Sequence, residues 1–545
     1  MADLKEELKQ VIRGEAEDDA LALKHYSRDA SLFEVKPRLV VFPKDAEDVC
    51  ALIKFINSHS EEKLSLTCRA GGSGMDGGAL SESVVLDFTR HMNRIKEMND
   101  DFAVVEPGVF YRDFEKETLK RGLMLPSYPA SKELCAIGGM VGNNAGGEKS
   151  LIYGKTEKYV VELKAVLADG KEYVFKPLLK NELDVKTRQE DYEGEVYRRI
   201  FKLINDNYEK LQAARPRVSK NSAGYYLWNV WDKSIFDLTQ LFVGSQGTLG
   251  IITEIKLRLV KPKEHSALLV VFLKDLKHLT EMVGRVLKHN PESLESFDDH
   301  TLAIALRYFW GFVKLMGLNI VSLGLQFWPE FKMLIFGCLP KLIILVEFTG
   351  DSAEEVVSRA EAAERDLRDL GIKMSIAKQP REIAKYFTIR HESFNLLRHH
   401  IKGKRTVPFI DDFIVRPEHL PEFFPKLEAI LKEYPDLIYT IAGHVGDGNF
   451  HIIPLMDLRI AENRKIIPEL SKKVYKLVLE YGGSITAEHN DGLIRTPFLE
   501  DMYGKEVCGI FAETKRIFDP NNIFNPRKKV NGDLDFAMRH LAEEN

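Results

Sequence analysis

The chain has 545 residues, 44% hydrophobic and 29% charged, an ordinary globular composition but too long for one core, so about two or three domains are expected. Its net charge of −5 comes with no basic block, so no nucleic-acid partner is expected. The five cysteines are scattered and odd in number, which argues against a disulfide framework or a ferredoxin-type iron–sulfur cluster in this sequence. The N-terminus is charged and lacks the apolar core of a secretory signal, so a cytoplasmic location is expected.

The first part of the chain predicts short strands joined by helices and loops. Residues 1–35 predict an acidic helical lead-in, and Asp45 is placed to cap a helix that runs to about Ser58. A second helix is predicted over residues 111–121. The predicted strands cover 37–43, 64–67, 84–88, 103–108, 160–167 and 173–175.

Two glycine-rich loops lie among these strands, at 69–78 and 137–147, and a third signature covers 242–252. Glycine allows positive φ and close approach, so such loops can place backbone N–H groups against phosphate oxygens. The first loop is followed by a strand and lacks the lysine of a P-loop, so it fits neither common nucleotide motif. Together the loops suit a long cofactor with a pyrophosphate in its middle. Ordinary glycine-rich connections are the alternative for each loop taken singly.

The pattern of elements changes near residue 263. Strands are predicted over 268–272, 294–297 and 342–348, with helices over 276–289 and 353–370. This alternation predicts an antiparallel sheet backed by helices, a second domain of α+β type.

The stretch Thr440-Ile-Ala-Gly-His444-Val-Gly-Asp-Gly-Asn-Phe-His451 predicts a hairpin, because Asp447-Gly448 suits a tight primed turn. With that turn His444 pairs with His451, and their Cβ atoms lie roughly 5 Å apart on one face. The two imidazoles could then share a divalent metal, with Glu488 supplying a carboxylate oxygen. The alternatives are histidines that only cap a sheet edge, and a calcium loop, which would need regular oxygen ligands and a closing Glu.

In combination these motifs resemble the vanillyl-alcohol oxidase / p-cresol methylhydroxylase (PCMH) flavoprotein superfamily. Within it the chain is similar to the branch of FAD-linked D-2-hydroxyacid dehydrogenases, over about residues 37–262 and 380–530. The resemblance implies an α+β fold, with a two-subdomain PCMH-type FAD-binding domain, a ferredoxin-like antiparallel-sheet cap domain and a C-terminal helical segment. The expected boundaries are 1–35, 36–262, 263–480 and 481–545, the last segment packing back on the FAD domain.

The resemblance also implies which residues hold FAD. The pyrophosphate is expected at residues 69–74 and 137–139, and the ring and ribityl chain at residues 129–131, 142, 144, 145 and 147. Ile251 and Ile252 are expected near the adenine or the edge of the ring. The expected cofactor-binding residues are Arg69, Ala70, Gly71, Gly72, Ser73, Gly74, Pro129, Ala130, Ser131, Ile137, Gly138, Gly139, Gly142, Asn144, Ala145, Gly147, Gly244, Gln246, Gly247, Gly250, Ile251 and Ile252.

By the same resemblance, the divalent metal (Zn²⁺, Mn²⁺ or Fe²⁺) is expected on His444, His451 and Glu488, and His489 is the expected active-site base. The metal would lower the pKa of the substrate hydroxyl, the histidine would take its proton, and hydride would pass to flavin N5. Arg390 matches an arginine that clamps the substrate carboxylate, the alternative being a salt bridge on a helix surface. A second cation could come from Lys402, Lys404 or Arg405.

Three departures from the family pattern are visible. Gln246 stands where the family usually has Glu, Asn490 stands where it usually has Gly, and a lysine expected shortly before Asp412 has no clear counterpart. These departures are expected to affect substrate choice more than the flavin fold.

The segment Asn221-Ser-Ala-Gly-Tyr-Tyr-Leu resembles bacterial enzymes in which this flavoprotein is fused to an iron–sulfur domain. A separate electron acceptor, iron–sulfur or quinone-linked, is therefore expected. The segment 301–340 is rich in large apolar and aromatic residues but is interrupted by polar ones. It predicts either an interfacial helix that makes a peripheral membrane contact or a buried helical layer.

The sequence thus predicts FAD-dependent, metal-assisted oxidation of a small D-2-hydroxy acid, such as D-lactate, D-2-hydroxyglutarate or glycolate, to the 2-oxo acid. Two other hypotheses are a flavin oxidase that uses O₂ and a flavin-binding subunit with a degenerate site in a respiratory complex. The altered residue after Glu488-His489 supports the last of these.

Overall fold

The structure is a computed structural model that describes residues 4–299, 340–400 and 403–543, with side chains from 391 to 400 left out. Residues 301–339 of the apolar insert lie outside the described ranges, so its membrane contact stays a prediction. Among the described helices, none is both long enough and apolar enough to span a bilayer.

A four-stranded sheet carries the first glycine-rich loop. Its strands run in the order Glu15–Glu17, Leu39–Phe42, Val84–Asp87 and Leu66–Arg69, the first pair antiparallel and the others parallel. The two middle strands are buried at every position, and all of their residues except Asp87 are apolar. The predicted helical lead-in contains two short helices separated by the strand Glu15–Glu17.

The helix Ala46–Ser58 matches its prediction closely. The Asp45 side chain accepts hydrogen bonds from the backbone N–H groups of Glu47 and Asp48, at 3.0 and 3.2 Å. The apolar stripe of this helix is buried against the four-stranded sheet. Here the capping residue and the helical period were both readable from the sequence.

A second, antiparallel sheet completes the first half. Its order is Ile95–Met98, Phe102–Val105, Ile251–Arg258, Val160–Val166 and Glu172–Phe175. Burial alternates along Ile251–Arg258, as expected when one face packs on the core. The strands Leu178–Leu179 and Ile235–Phe236 pair as a separate antiparallel ribbon.

The cap domain is an antiparallel sheet of eight described strands. Its first four strands in the chain are His265–Leu273, Ser293–Asp298, Leu342–Gly350 and Lys373–Ala377, and they lie in the spatial order fourth, first, third, second. This is the ferredoxin-like arrangement that the sequence predicted. The sheet continues from Ser293–Asp298 through the strands Ile438–His444, Asn449–Met456, Arg405–Thr406 and Ile410–Ile414.

Helices cover one face of the cap sheet and surround the FAD domain. Leu279–Leu287 and Ala353–Asp366 bury their apolar residues against the cap strands. The remaining α-helices are Leu4–Leu8, Ala20–Tyr26, Tyr111–Leu119, Ile137–Asn143, Ser150–Tyr153, Lys180–Lys186, Tyr192–Asp206, Tyr208–Ala214, Leu227–Val230, Thr239–Phe242, Pro380–His400, Leu420–Lys432, Ala461–Glu480, Gly492–Arg495, Leu499–Phe518 and Leu534–Arg539.

The C-terminal segment returns to the first sheet. Leu66 N–H donates to the carbonyl of Ile523 at 2.7 Å, and Asn525 N–H donates to the carbonyl of Leu66 at 2.8 Å. Phe524 is fully buried in the core of that sheet. The segment that carries Glu488 and His489 is therefore tied to both halves of the molecule. The exact domain boundaries stay a prediction.

Candidate active site: a glycine-lined cavity and a histidine–carboxylate cluster

One cavity of about 370 Å³ is lined both by the glycine-rich loops and by the histidines of the hairpin. Its wall includes His444, His451, Glu488, His489 and Arg390, so the cap sheet and the C-terminal segment bring the predicted metal ligands, base and cation together. Of the predicted cofactor residues, the lining includes Arg69, Ala70, Gly71, Gly72, Ser73, Gly74, Pro129, Ala130, Ser131, Gly138, Gly139, Gly142, Ala145, Gln246, Gly247, Gly250 and Ile252.

The first loop offers unsatisfied donors to this cavity. In the described part of the chain, the backbone N–H groups of Gly71 to Gly74 donate to no protein acceptor. Arg69 is 7% exposed, and its Nη1 has no hydrogen-bond partner among the described residues. Consecutive free amides beside a buried guanidinium suit an anion such as a pyrophosphate.

Glycines of the second loop divide into two kinds. A Cβ on Gly138 would come within 2.5 Å of Pro107 Cβ, so the packing of the protein itself requires glycine there. A Cβ on Gly139 would meet nothing closer than Ala70 Cβ at 3.5 Å, and one on Gly142 nothing closer than Gln246 Cα at 4.0 Å. At these two positions the missing side chain keeps the cavity open, as close approach of a bound molecule requires.

Five predicted cofactor residues do not line the cavity. Ile137 and Ile251 are fully buried in the cores. Asn144 ends the helix Ile137–Asn143 with φ of +53°, and its Oδ1 accepts from Glu157 N–H at 3.0 Å. A Cβ on Gly147 would lie 2.4 Å from the Tyr128 carbonyl, and Gly244 has φ of +81°. Each of these five has a structural role beside the cavity.

Two departures from the family pattern have local explanations. Gln246 donates through Nε2 to Asp76, so a Glu in its place would set two carboxylates face to face. Asn490 has φ of +72°, a region that favours glycine and admits Asn. Its Nδ2 donates to the carbonyl of Gly244 at 2.9 Å, which fixes the chain directly after His489.

The predicted register of the hairpin is wrong. His444 pairs with Asn449, and His451 pairs with Ala442, because a four-residue connection replaces the two-residue turn. Gly448 has φ of +76°, whereas Asp447 does not have positive φ. The pairing has moved by two residues, which leaves both histidines on one face because side chains alternate with period two. Their ring centroids are 5.3 Å apart.

The histidine nitrogens point to a metal-binding tautomer. His451 Nδ1 lies 2.7 Å from the carbonyl oxygen of Asp411, which can only accept, so Nδ1 carries the hydrogen and Nε2 is left free. Burial lowers the pKa of His451 to about 4, which keeps the ring neutral as a ligand must be. His444 Nδ1 contacts Glu295 at 2.6 Å, and its Nε2 lies 3.3 Å from Glu488 Oε2.

A buried lysine holds Glu488 ionised. Lys220 Nζ lies 2.7 Å from Glu488 Oε1 and 2.9 Å from Asp447 Oδ2, and its side chain is 2% exposed. Burial would raise the pKa of Glu488, but Lys220 and His444 outweigh burial and bring that pKa well below its usual range. One oxygen of Glu488 thus faces the lysine and the other faces the histidine.

The adjacent carboxylates Asp411 and Asp412 organise the base. Asp412 Oδ2 accepts the backbone N–H groups of Ala487, Glu488 and His489 at 2.7–2.9 Å. Asp411 Oδ2 lies 2.6 Å from His489 Nδ1, and Asp411 is also ion-paired with Arg495. Burial lowers the pKa of His489, but the two aspartates outweigh burial and raise it to about 9.

An alternative grouping of ligands overlaps with the predicted one. Ligand atoms of Asp412, His451, Glu488 and His489 all lie within 4.8 Å of one another. This group shares His451 and Glu488 with the predicted set and replaces His444. Since Asp412 already accepts three backbone N–H groups, the set His444, His451 and Glu488 stays our prediction.

Arg390 is part of a buried ion pair. It lies on the helix Pro380–His400, its side chain is 7% exposed, and it contacts Glu295. Its Nε has no hydrogen-bond partner among the described residues. Arg390 therefore forms a salt bridge, but at the cavity wall and not on a helix surface.

The second cation proposed from sequence finds less support. Arg405 donates to the carbonyl of Ser31 at 3.0 Å, and neither Arg405 nor Lys404 lines the cavity. Lys402 lies outside the described residues.

Sequence reasoning missed Glu295, Asp411, Asp412, Lys220 and Asp447. For Asp411 and Asp412 the signal was an ionisable side chain within an apolar stretch, Phe409-Ile-Asp-Asp-Phe-Ile-Val415. That signal says that a charge is buried but does not say which partner it meets.

Comparison with known families matches two models to this chain. Residues 37–176 match the family described as FAD binding domain. Residues 262–529 match the family described as FAD linked oxidases, C-terminal domain. The first match contains both glycine-rich loops, and the second contains the hairpin and Glu488.

Named relatives are identical to the chain at just over a quarter of the aligned positions. A D-2-hydroxyglutarate dehydrogenase of Pseudomonas putida is 28% identical over 526 residues, 95% of this chain and 50% of the relative. The chain thus spans about half the length of that protein. The glycolate oxidase subunit GlcD of Bacillus subtilis is 26% identical over 96% of both chains. A D-lactate dehydrogenase of Archaeoglobus fulgidus is 27% identical over 90% of this chain and 91% of the relative.

Solved structures share the fold at lower identity. A 4-ethylphenol oxidase from Gulosibacter chungangensis matches with a TM-score of 0.67 at 15% identity, covering 97% of both chains. A p-cresol methylhydroxylase matches with a TM-score of 0.66 at 16% identity, covering 95% of this chain and 94% of the other. These likenesses establish the predicted fold class.

Proposed function

We propose that this chain, which carries an FAD binding domain and an FAD linked oxidase C-terminal domain, oxidises a small D-2-hydroxy acid to the 2-oxo acid. One observation carries the proposal: a single cavity is lined by loops with free amides, by a His–His–Glu cluster and by a buried arginine. FAD would be held by the loops, and a divalent metal by His444, His451 and Glu488.

When bound, FAD supplies a hydride acceptor and the divalent metal supplies a Lewis acid for the substrate hydroxyl. The protein binds and orients the substrate and takes its proton. Arg390 suits the substrate carboxylate, because its guanidinium is fixed on one side by Glu295 and lines the cavity on the other.

His489 is the proton acceptor in this proposal. Asp411 occupies its Nδ1, so Nε2 is the nitrogen that takes the hydroxyl proton. The carboxylates of Asp411 and Asp412 raise the pKa of His489 to about 9 in the metal-free protein. His489 would act as the base in its neutral form, which a metal cation bound beside it would favour by lowering that pKa. The Asn490 side chain donates to the carbonyl of Gly244, so the departure from glycine leaves the base in place and argues against a degenerate site.

Anaerobic flavin reduction tests the proposal. FAD- and Mn²⁺-loaded protein would be mixed with D-lactate, D-2-hydroxyglutarate, glycolate and, as the control, L-lactate, while the flavin absorbance is followed. We expect bleaching by at least one of the first three acids and its loss after the metal is removed by a chelator. Flavin that none of these acids reduces would contradict the proposal.

The electron acceptor is proposed to be a separate iron–sulfur or quinone-linked partner. The similarity of the chain to a protein named as a subunit of glycolate oxidase supports this proposal. Stoichiometric peroxide formed during turnover of the purified protein in air would instead favour a flavin oxidase.

A further inference from the structure

We propose that Glu295 is a positioning residue that joins the metal ligand His444 to the substrate clamp Arg390 and sets the distance between them. This inference rests on the proposed function. Glu295 belongs to neither predicted set of site residues, yet it contacts one member of each.

Glu295 lies in a rigid part of the cap sheet. Its strand, Ser293–Asp298, pairs on one side with Leu342–Gly350 and on the other with Ile438–His444. The register sets Ser296 opposite Gly443, so the strand that carries His444 is hydrogen-bonded directly to the strand that carries Glu295. Glu295 is only 1% exposed, so bulk water does not compete with its protein partners for the carboxylate.

The two carboxylate oxygens of Glu295 serve different partners. Oε1 lies 2.6 Å from His444 Nδ1, and Oε2 contacts Arg390 Nη2. These three residues come from two neighbouring strands and from the helix Pro380–His400. Glu295 therefore links the helix cation directly to the hairpin histidine.

The contact with His444 selects the ligand tautomer. A carboxylate accepts the Nδ1 hydrogen, so Nε2, which faces Glu488 and the cavity, is the nitrogen that would bind a metal once its own proton is displaced. Carboxylates in this position typically orient a ligating histidine and raise its basicity, and their loss costs about 10–100-fold in metal affinity.

The contact with Arg390 holds the guanidinium at the cavity wall. Nη2 is engaged by Glu295, while Nε is buried without a partner among the described residues. A 2-hydroxy acid carries its hydroxyl and carboxylate on adjacent carbons, so a fixed distance between metal and guanidinium selects that substrate class. Glu295 thereby holds the metal site and the guanidinium at one distance, which the hydroxyl and carboxylate of the substrate must match.

Glu295→Gln tests the role without changing side-chain size. The amide has one acceptor oxygen, so it can satisfy His444 or Arg390 but presents N–H to the other. In FAD-loaded protein we expect Glu295→Gln to weaken Mn²⁺ binding or to raise KM by about tenfold or more, and Glu295→Ala to do both. Mn²⁺ affinity is read by electron paramagnetic resonance, and KM by flavin reduction.

Glu292→Gln is the matched control. Glu292 lies one residue before the same strand, is 2% exposed and is ion-paired with Lys149, but it does not line the cavity. We expect it to leave Mn²⁺ affinity and KM within twofold of the parent. The flavin spectrum and melting temperature of each variant show whether it is folded.

A double-variant comparison separates coupling from general damage. In an Arg390→Met background, Glu295→Ala should no longer raise KM but should still weaken Mn²⁺ binding. If Glu295 variants behave like Glu292→Gln while the parent binds Mn²⁺ and is reduced by a 2-hydroxy acid, this inference is wrong and the proposed function stands. If the parent does neither, the proposed function itself has failed.

Discussion

At the residue scale, charge pairing in a dry interior governs the candidate site. Lys220, Glu488 and Asp447 are all almost completely buried, and each carboxylate depends on the same ammonium group. Removing one partner of such a group leaves an uncompensated buried charge, which costs far more than the loss of an exposed ion pair.

Lys220→Met should therefore destabilise the metal-free protein by about 3–5 kcal/mol, because two carboxylates lose their cation. Chemical denaturation would measure the loss, and Mn²⁺ should restore part of it by neutralising Glu488. Lys473→Met is the control, because Lys473 bridges Glu433 and Glu469 at the surface and should cost less than about 1 kcal/mol. Equal losses in both variants would contradict the argument.

His489→Asn should lower the rate of flavin reduction about 10²–10⁴-fold, the usual contribution of a general base. Mn²⁺ affinity should change little, since the ligand set does not include His489. Stopped-flow reduction and a metal titration on the same preparation would separate the two effects. A large loss of Mn²⁺ affinity would instead favour the group of Asp412, His451, Glu488 and His489 as the metal site.

At the element scale, the short helix Ile137–Asn143 shows why one glycine is not equivalent to the next. Gly138 faces Pro107 at contact distance, whereas Gly139 faces the cavity. The same residue type thus serves packing at one position and ligand space at its neighbour.

Gly139→Ala should weaken FAD binding by about 1–3 kcal/mol, the cost of overpacking, while leaving the apoprotein as stable as before. Gly138→Ala should instead destabilise the apoprotein, because its Cβ has no room beside Pro107. FAD titration and thermal melting of both variants would distinguish the two roles. The helix Leu279–Leu287 provides the control Gly284→Ala, which meets nothing within 4 Å and should be neutral or stabilising. Equal FAD affinity in Gly139→Ala and the parent would refute the cavity assignment.

At the scale of the whole molecule, buried lysines near the C-terminus hold distant parts of the chain together. Lys528 Nζ donates to the carbonyl of Leu80 at 2.7 Å, and Lys528 is 3% exposed. Burial, with a smaller effect of Arg527, lowers the pKa of Lys528 from 10.5 to about 7.

This pKa predicts a pH-dependent stability. Between about pH 7 and 10.5 the unfolded chain holds a proton that the folded chain has lost, so stability should rise with pH by up to about 1.4 kcal/mol per unit. Below pH 7 both states are protonated and the penalty is constant. Lys528→Met should remove this rise. The melting temperature of the variant minus that of the parent should therefore decrease as the pH is raised from about 7 to about 9. A difference that does not vary with pH would contradict the assignment.

Much of this architecture was readable from local sequence. The Asp45 cap and the antiparallel sheet backed by helices follow from spacing and residue type, while the ferredoxin-like cap and the cavity-lining glycines were implied by the family resemblance. Even the wrong hairpin register left His444 and His451 on one face, because alternation along a strand survives a shift of two residues.

The sequence by itself determined which residue types could do the chemistry and which face of each element would carry them, since periodicity and turn propensity are local. Only the tertiary structure decided their partners: Glu295 for His444 and Arg390, Lys220 for Glu488, and Asp411 for His489. These contacts join residues between 78 and 268 positions apart. Hydrogen bonds and ion pairs depend on distances of a few ångströms, which are fixed by how whole sheets and helices pack and not by any short stretch of chain.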